Sequence, residues 1–437
     1  MTSPRPQARA AYLYLFSLLF FFLAAAVPRV VLADRVIAKG DDWEVFTNGR
    51  VAGFLSWVYG DEAPTGDQVI NGVPESLNGG LWPVPAQPHA DDSRGTVNMM
   101  RLRSGFLGNQ IGFGVRGQVT PWTTVTGYIQ LWTYIESEDR NKSNPNYPDA
   151  RQGYAQLQGP WGSFAAGRQR TLTSRGATDI NVLYGHKWGV GFPNSIDRKG
   201  PTLGMVGFGV LGSGFAAGMI YGTPTVGGFQ LNVGVFDPAT LGGPGWNGTK
   251  YVRPEAELRF ERDFGATGKV ALFANGAYQK VYKPGQCIPA PDNPCEETVV
   301  GVGYGGRFEI GPFHLGLAGH YGKGLGMSYA LENSYAVGDL QTHLRWSDGY
   351  YLQAQVVARK FDFFAGGGIA RLFMTELDRN TTALSVLKYQ LGINGGIVYN
   401  VTPNVHVDVE YFLAKAEWFL GETQVLHCPA AGMTFNW

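Results

Sequence analysis

The sequence predicts an all-β fold, a transmembrane antiparallel β-barrel of about 16 strands. Three observations predict it. Apolar and polar residues alternate with a period of two along most of the chain, short turns alternate with long polar stretches, and the sequence closes on an alternating segment that ends in an aromatic residue. Composition agrees. Glycine supplies 62 of the 437 residues and aromatics 13%, while charged residues make up only 16%. Such a balance suits many pleated segments joined by tight turns.

The alternation is clearest near the end of the chain. Val405, Val407, Val409, Tyr411 and Leu413 are apolar, and His406, Asp408 and Glu410 lie between them. Successive side chains of a strand point to opposite faces, so one face is apolar and the other polar. Residues 389–400 repeat the pattern, with Tyr389, Leu391, Ile393, Ile397 and Tyr399 against Gln390, Asn394 and Asn400. In residues 255–264, Glu255, Glu257, Arg259, Glu261 and Asp263 alternate with Ala256, Leu258, Phe260 and Phe264.

Short turns such as TPWTT, GPWGS, DFGATG and NVTPN join these segments, and longer polar stretches at 60–94, 137–148, 237–253, 283–297 and 414–426 separate others. Tight turns at one end and long loops at the other are the asymmetry of a membrane barrel. Trp122 and Trp161, at two of the turns, fit its aromatic girdle. Strands are expected to start near 43, 97, 123, 149, 162, 214, 228, 254, 268, 298, 312, 350, 361, 386, 404 and 427. Residues 335–346 are assigned to a loop; read as a strand, they raise the count toward eighteen. Residues 202–222 carry no charge and place Gly214, Gly218 and Gly222 at helix-packing spacing. Seven of those residues are glycine, each costing a helix interior up to about 1 kcal/mol, so the stretch reads as loop and strand.

Domain organisation is simple. Residues 1–33 read as a secretory signal, with Arg5 and Arg9 before an apolar run and Val31-Leu32-Ala33 as the cleavage site, leaving 34–437 as one barrel domain. That removes three arginines and no acid, so 32 Lys+Arg face 35 Asp+Glu, a net charge of −3. A nucleic-acid partner needs a concentrated basic excess, which is absent. Cys287 and Cys295 bracket the short segment CIPAPDNPC and are expected to close as a disulfide in an oxidising compartment, leaving Cys428 unpaired.

The last segment places Ala431, Met433, Phe435 and Trp437 on one face and Gly432, Thr434 and Asn436 on the other. It resembles the final strand of Gram-negative outer-membrane barrels. That likeness implies that Met433, Phe435 and Trp437 are read by the barrel assembly machinery, and that the apolar face meets outer-membrane lipid. Two further stretches, IGFGVRGQVTPWTTVTGYIQLW at 111–132 and DARQGYAQLQGPWGSFAAGRQ at 149–169, resemble the general trimeric porins of the same membrane. The resemblance implies a water-filled pore for small hydrophilic solutes and ions, a homotrimer, and a long third loop folded into the lumen. It places Arg151 on the pore wall and Arg168 at the strand end that enters the loop, with Arg198 a weaker match. The glutamines of 151–158 are expected on the outer face, as at a subunit boundary.

The loop departs from the family pattern. Residues 168–200 hold only Asp179 and Asp197 against Arg168, Arg170, Arg175, Lys187, Arg198 and Lys199, a local balance of +4. Basic groups at a constriction favour anions, so a mild anion preference is expected. A solute-specific channel is the rival reading, with Tyr184, Trp188 and Phe192 as an aromatic track. Residues 112–117 (GFGVRG) and 207–212 (GFGVLG) match a dinucleotide fingerprint, but neither precedes a helix. No nucleophile elbow occurs and the seven histidines show no metal-ligand spacing. No cofactor or metal is expected and the chain reads as no enzyme, with a non-channel barrel carrying a Ser/His pair assembled across strands as the minor alternative.

Overall fold

The computed structural model describes residues 34–61, 65–70, 73–76, 96–106, 108–133, 149–173, 175–179, 204–212, 214–241, 246, 248–283, 287, 294–328, 330–331, 337–339, 343–380, 386–419 and 421–437. In chain order the strands are β1 (Arg35–Lys39), β2 (Trp43–Asp61), β3 (Thr65–Ile70), β4 (Val73–Ser76), β5 (Thr96–Arg103), β6 (Asn109–Thr120), β7 (Thr123–Thr133), β8 (Asp149–Gly159), β9 (Gly162–Arg170) and β10 (Phe215–Gly222). They continue as β11 (Phe229–Phe236), β12 (Arg253–Asp263), β13 (Lys269–Tyr282), β14 (Glu296–Ile310), β15 (Phe313–Lys323), β16 (Trp346–Ala358), β17 (Phe361–Leu372), β18 (Leu387–Asn400), β19 (Val405–Trp418) and β20 (Thr423–Asn436). A one-turn helix, α1 (Arg175–Asp179), follows β9.

From β6 to β20 each strand pairs antiparallel with the next, and β20 pairs with β2 to shut the cylinder. β2 is the seam. Its first half pairs with β6 and its second with β5, so these two are halves of one strand broken at 104–108. Asn109 mends part of the break by accepting the Ala52 amide at 2.7 Å. Counting the broken strand once, the closed barrel has 16 strands, and of the described residues in 335–346 only Trp346, the first of β16, belongs to one of them. β1 pairs with the start of β2 and prolongs the line of β20: Trp437 exchanges backbone bonds with Gly49, and Arg35 stands opposite Thr47. A separate hairpin, β3–β4, lies in the first long loop. The seam strand β1, the broken strand and this hairpin were not expected from the sequence.

Closure has a physical cause. A lipid interior offers no partner to a bare amide or carbonyl, and a cylinder leaves no edge strand. Side-chain alternation then sorts the sequence into two faces. Val407, Val409 and Tyr411 of β19 are exposed on the outside, while Asp408, Glu410 and Phe412 are buried inside. β12 sends Glu255 and Glu257 inward and Leu258 outward. On β20, Met433 and Phe435 point out and Thr434 and Asn436 point in. The structure also joins Cys287 to Cys295 in a disulfide.

An arginine on the lipid face near mid-membrane costs about 2–4 kcal/mol, and about 0–1 kcal/mol near the interface. Val409→Arg is therefore expected to lower urea-unfolding stability in lipid vesicles by about 2–4 kcal/mol. The same change at Val401, on a tight turn, is expected to cost about 1 kcal/mol or less.

Candidate functional site

The loop between β9 and β10 begins inside the barrel. Thr171 donates its amide to Gly214 O at 3.1 Å, drawing the two ends of the loop together. The inward row of β12 fastens the residues after Leu172. Glu255 accepts the Thr173 amide at 2.7 Å and Arg253 Nε at 2.7 Å. Glu257, fully buried, accepts Arg175 Nη2 and Arg259 Nε at 2.8 Å each, with Asn232 Nδ2 at 3.3 Å. The charged face read from the alternation of β12 is therefore a lumen wall that holds the loop.

α1 then lies against β13, where a Cβ on Gly176 would come within 2.3 Å of the Phe273 ring. Residues 204–212 form the next described stretch, a tight turn in which Phe208 donates its amide to Met205 O and Gly207 donates to Val210 O, both at 3.0 Å. Gly207 and Gly209 have φ of +86° and +95°, backbone space that glycine enters without steric cost. The turn packs against the wall from β15 to β19. Phe208 meets Phe412 edge-on at 5.0 Å. A Cβ on Gly209 would come within 2.1 Å of Tyr350 O, and one on Gly368 within 2.2 Å of Phe208 O. Leu211 joins a core with Leu241, Trp246, Val281 and Leu325, contributed by neighbouring loops and strand ends. The described residues from 204 to 222 are thus loop and then strand, and the glycine fingerprint at 207–212 is a packing surface.

The described parts of the loop pack on the wall from β12 to β19, and Met205, Val206 and Phe208 share one apolar cluster with Val58 of β2 and Met99 of β5. Beside this cluster, β2, β5 and β8 send arginines inward. Arg50 is on the inner face of β2 with Ala52 and Phe54, and Arg103 on that of β5, opposite Phe54. Arg101 shares the inner parity of Arg103 and is exposed. Arg151 sits at a bulge in the β7–β8 register, bonded to Asp149, with its guanidinium 4.8 Å from the Trp132 ring centre and 5.7 Å from that of Phe215. Asp408 of β19 lies in electrostatic range of Arg50, and Glu410 of β19 and Arg103 both lie in range of Cys428. Ser56 Oγ and Cys428 Sγ, both buried, stand 3.4 Å apart. Among the described residues this is an inner wall of mixed charge with an arginine-rich side, able to orient ions and small polar solutes.

Two expectations change. Arg168 stands opposite Gly153 and Ala217, on the face of the exposed Phe164, so it points outward and not into the pore. Parity set by the strand decides this. The bulge at Arg151 also turns the β8 glutamines inward: Gln152 donates to Gln130 at 2.8 Å, and Gln156 pairs with buried Ala165. Arg175 is inside but committed to Glu257, and Arg170 ends β9 opposite Phe215. Asp179 closes α1 through its backbone. Its side chain, with Tyr184, Lys187, Trp188, Phe192, Asp197, Arg198 and Lys199, lies outside the described residues. Arg50, Arg101 and Arg103 were missed by sequence reasoning. The signal was alternation: Arg101 and Arg103 flank Leu102, which is 65% exposed on the outer face.

A closed 16-strand barrel with an apolar outside, a charged inside and a loop laid across its interior is a membrane channel of the diffusion-pore class. A model of the Gram-negative porin family matches residues 23–415, and the chain belongs to that family: it is an outer-membrane porin. The outer membrane channel DcaP of Acinetobacter baumannii superposes with a TM-score of 0.64 at 14% identity, covering 92% of this chain and 100% of that one. The anion-selective porin from Comamonas acidovorans gives 0.57 at 13%, covering 91% and 100%. Salmonella typhi OmpF, in complex with daunomycin, gives 0.54 at 14%, covering 93% and 100%. No curated protein sequence matches the chain.

Breaking a buried ion pair by removing one partner costs about 3–5 kcal/mol. Glu257→Ala is expected to free the start of the loop while leaving the barrel folded. Limited proteolysis between residues 171 and 214 and noisier, larger conductance steps in planar bilayers check this; wild-type-like traces and cleavage would refute it.

Proposed function

We propose that the pore passes small hydrophilic solutes by passive diffusion with a mild preference for anions, and that three copies assemble into a homotrimer. The observation that carries the preference is the arginine-rich side of the inner wall, where the exposed Arg101 and the part-exposed Arg151 stand with the buried Arg50 and Arg103 behind them. It adds to the loop's own basic excess, of which Arg168 faces outward and Arg175 is paired with Glu257. The anion selectivity of the Comamonas acidovorans porin, a structural relative, agrees with it. Transport of this kind needs no catalytic group or cofactor.

A solute-specific channel is the second reading, favoured by how tightly the interior is filled: Arg50 and Arg103 are 2% and 0% exposed. Export and assembly complete the proposal. Residues 1–33 are removed after Ala33, and Asp34 is already engaged in the fold, accepting Asn48 Nδ2 at 2.9 Å and pairing with Arg116 at 3.2 Å. Met433, Phe435 and Trp437 serve as the assembly signal, supported by the outward exposure of Met433 and Phe435 on β20 and the stacking of Phe435 on Trp437, just past its end, at 5.7 Å.

The purified protein in a planar bilayer under a KCl gradient is expected to show large steps, grouped in threes, with a reversal potential of anion sign. Arg101→Gln is expected to move that potential toward the cation side. A cation-selective wild type removes the anion preference, and block by a single solute moves the assignment to a specific channel. N-terminal sequencing of the exported protein is expected to begin at Asp34. Trp437→Ala is expected to reduce the folded, heat-modifiable form in outer membranes several-fold.

A further inference from the structure

Among the described residues the outer face carries a polar row at the loop end of the barrel, from β15 to β19. Direct strand pairing lines up Tyr321 of β15, Asp348 of β16, Arg371 of β17, Tyr389 of β18 and Glu417 of β19. Toward mid-membrane the same faces carry Tyr350, Leu352, Ile393, Val409 and Tyr411, all exposed. In the row, Arg371 donates Nε and Nη2 to Asp348 at 2.8 and 2.5 Å. Lys388 Nζ and Tyr389 OH each donate to Glu417 at 2.7 Å, and Lys415 Nζ lies 3.9 Å from it. The two ammonium groups stand 6.0 and 5.7 Å from the Tyr389 ring.

Three cations thus meet two carboxylates, and they are layered. The Asp348 and Glu417 side chains are 5% and 21% exposed, against 45% for Arg371, 48% for Lys388 and 38% for Lys415. The carboxylates lie beneath and the positive groups form the outer surface. Aromatic rings frame them: Arg371 lies 5.7 Å from Tyr350 and 5.9 Å from Phe373, and Trp346 stacks on Tyr321 at 5.0 Å.

We propose that Arg371, Lys388 and Lys415 around Tyr389 bind a phosphate carried by a lipid headgroup of the outer leaflet. Excess positive charge beside a low-dielectric medium draws an anion, and phosphate oxygens match a guanidinium and ammonium groups together. The row opens onto the lipid side, and the apolar surface below it gives acyl chains a wall to lie on. The inference rests on the membrane-spanning fold and is independent of what the pore conducts.

The probe is bis-phosphorylated lipid A titrated onto the purified full chain in detergent micelles and read by native mass spectrometry. Lipid A without phosphates, and inorganic phosphate as competitor, serve as controls. Wild type is expected to hold lipid A at least ten-fold more tightly than the phosphate-free lipid. Lys388→Gln/Lys415→Gln is expected to lose that advantage, with heat-modifiable mobility and conductance unchanged, and Lys388→Arg/Lys415→Arg to keep it. Equal binding of the phosphate-free lipid, or full retention by the glutamine variant, overturns the proposal. Displacement by equimolar inorganic phosphate overturns the lipid assignment, and loss of the oligomer with lipid binding intact makes the surface a subunit contact. Should the glutamine variant not fold, the wild type decides: binding must weaken as salt rises, and must need the phosphates.

Discussion

Every other property of this molecule depends on the unbroken ring of backbone hydrogen bonds. In hydrocarbon an unpaired amide or carbonyl costs several kcal/mol, so the sixteen strands form a cylinder or they do not cross the membrane. The demand explains the unusual labour of β2, which has β5 and β6 along one edge and β1 and β20 along the other. Once the cylinder is shut, alternation leaves no freedom. Each residue faces lipid or lumen, and β12 and β19 send their buried carboxylates inward.

The inward charges then do more than line water. Glu255 and Glu257 hold the first turn of the long loop, and Arg253 and Arg259 on the same strand share the carboxylates. A buried carboxylate without partners is costly, whereas one shared among several donors is stable. The loop is therefore part of the wall's charge balance. Its far end is held by different means, with Phe208 on Phe412 and bare glycine backbone on backbone.

Much of this was legible in the sequence, because the period of two is a local signal. The starts expected at 43, 123, 149, 162 and 361 are those observed, and most others fall within one or two residues. Local signals fail where the register is not local. The bulge at Arg151 depends on pairing with Gln130 and Leu131, and one extra residue swaps the faces of β8. The break between β5 and β6 shows only against β2, which spans both halves. The outward turn of Arg168 follows from its partners Gly153 and Ala217, which a reading of the Gly-Arg motif by itself does not supply. Arg50 and Arg103 belong to no motif; their place follows from alternation combined with closure.

The contact between residues 204–212 and the far wall is made largely by main chains. Gly209 lies on Tyr350 O, and Phe208 O lies on Gly368. Main chains have no rotamers to sample, so the separation at this contact is set by covalent geometry and not by the wandering of long side chains. A single methyl group on either surface acts as a shim, shifting the bar across the lumen without touching any charge in it.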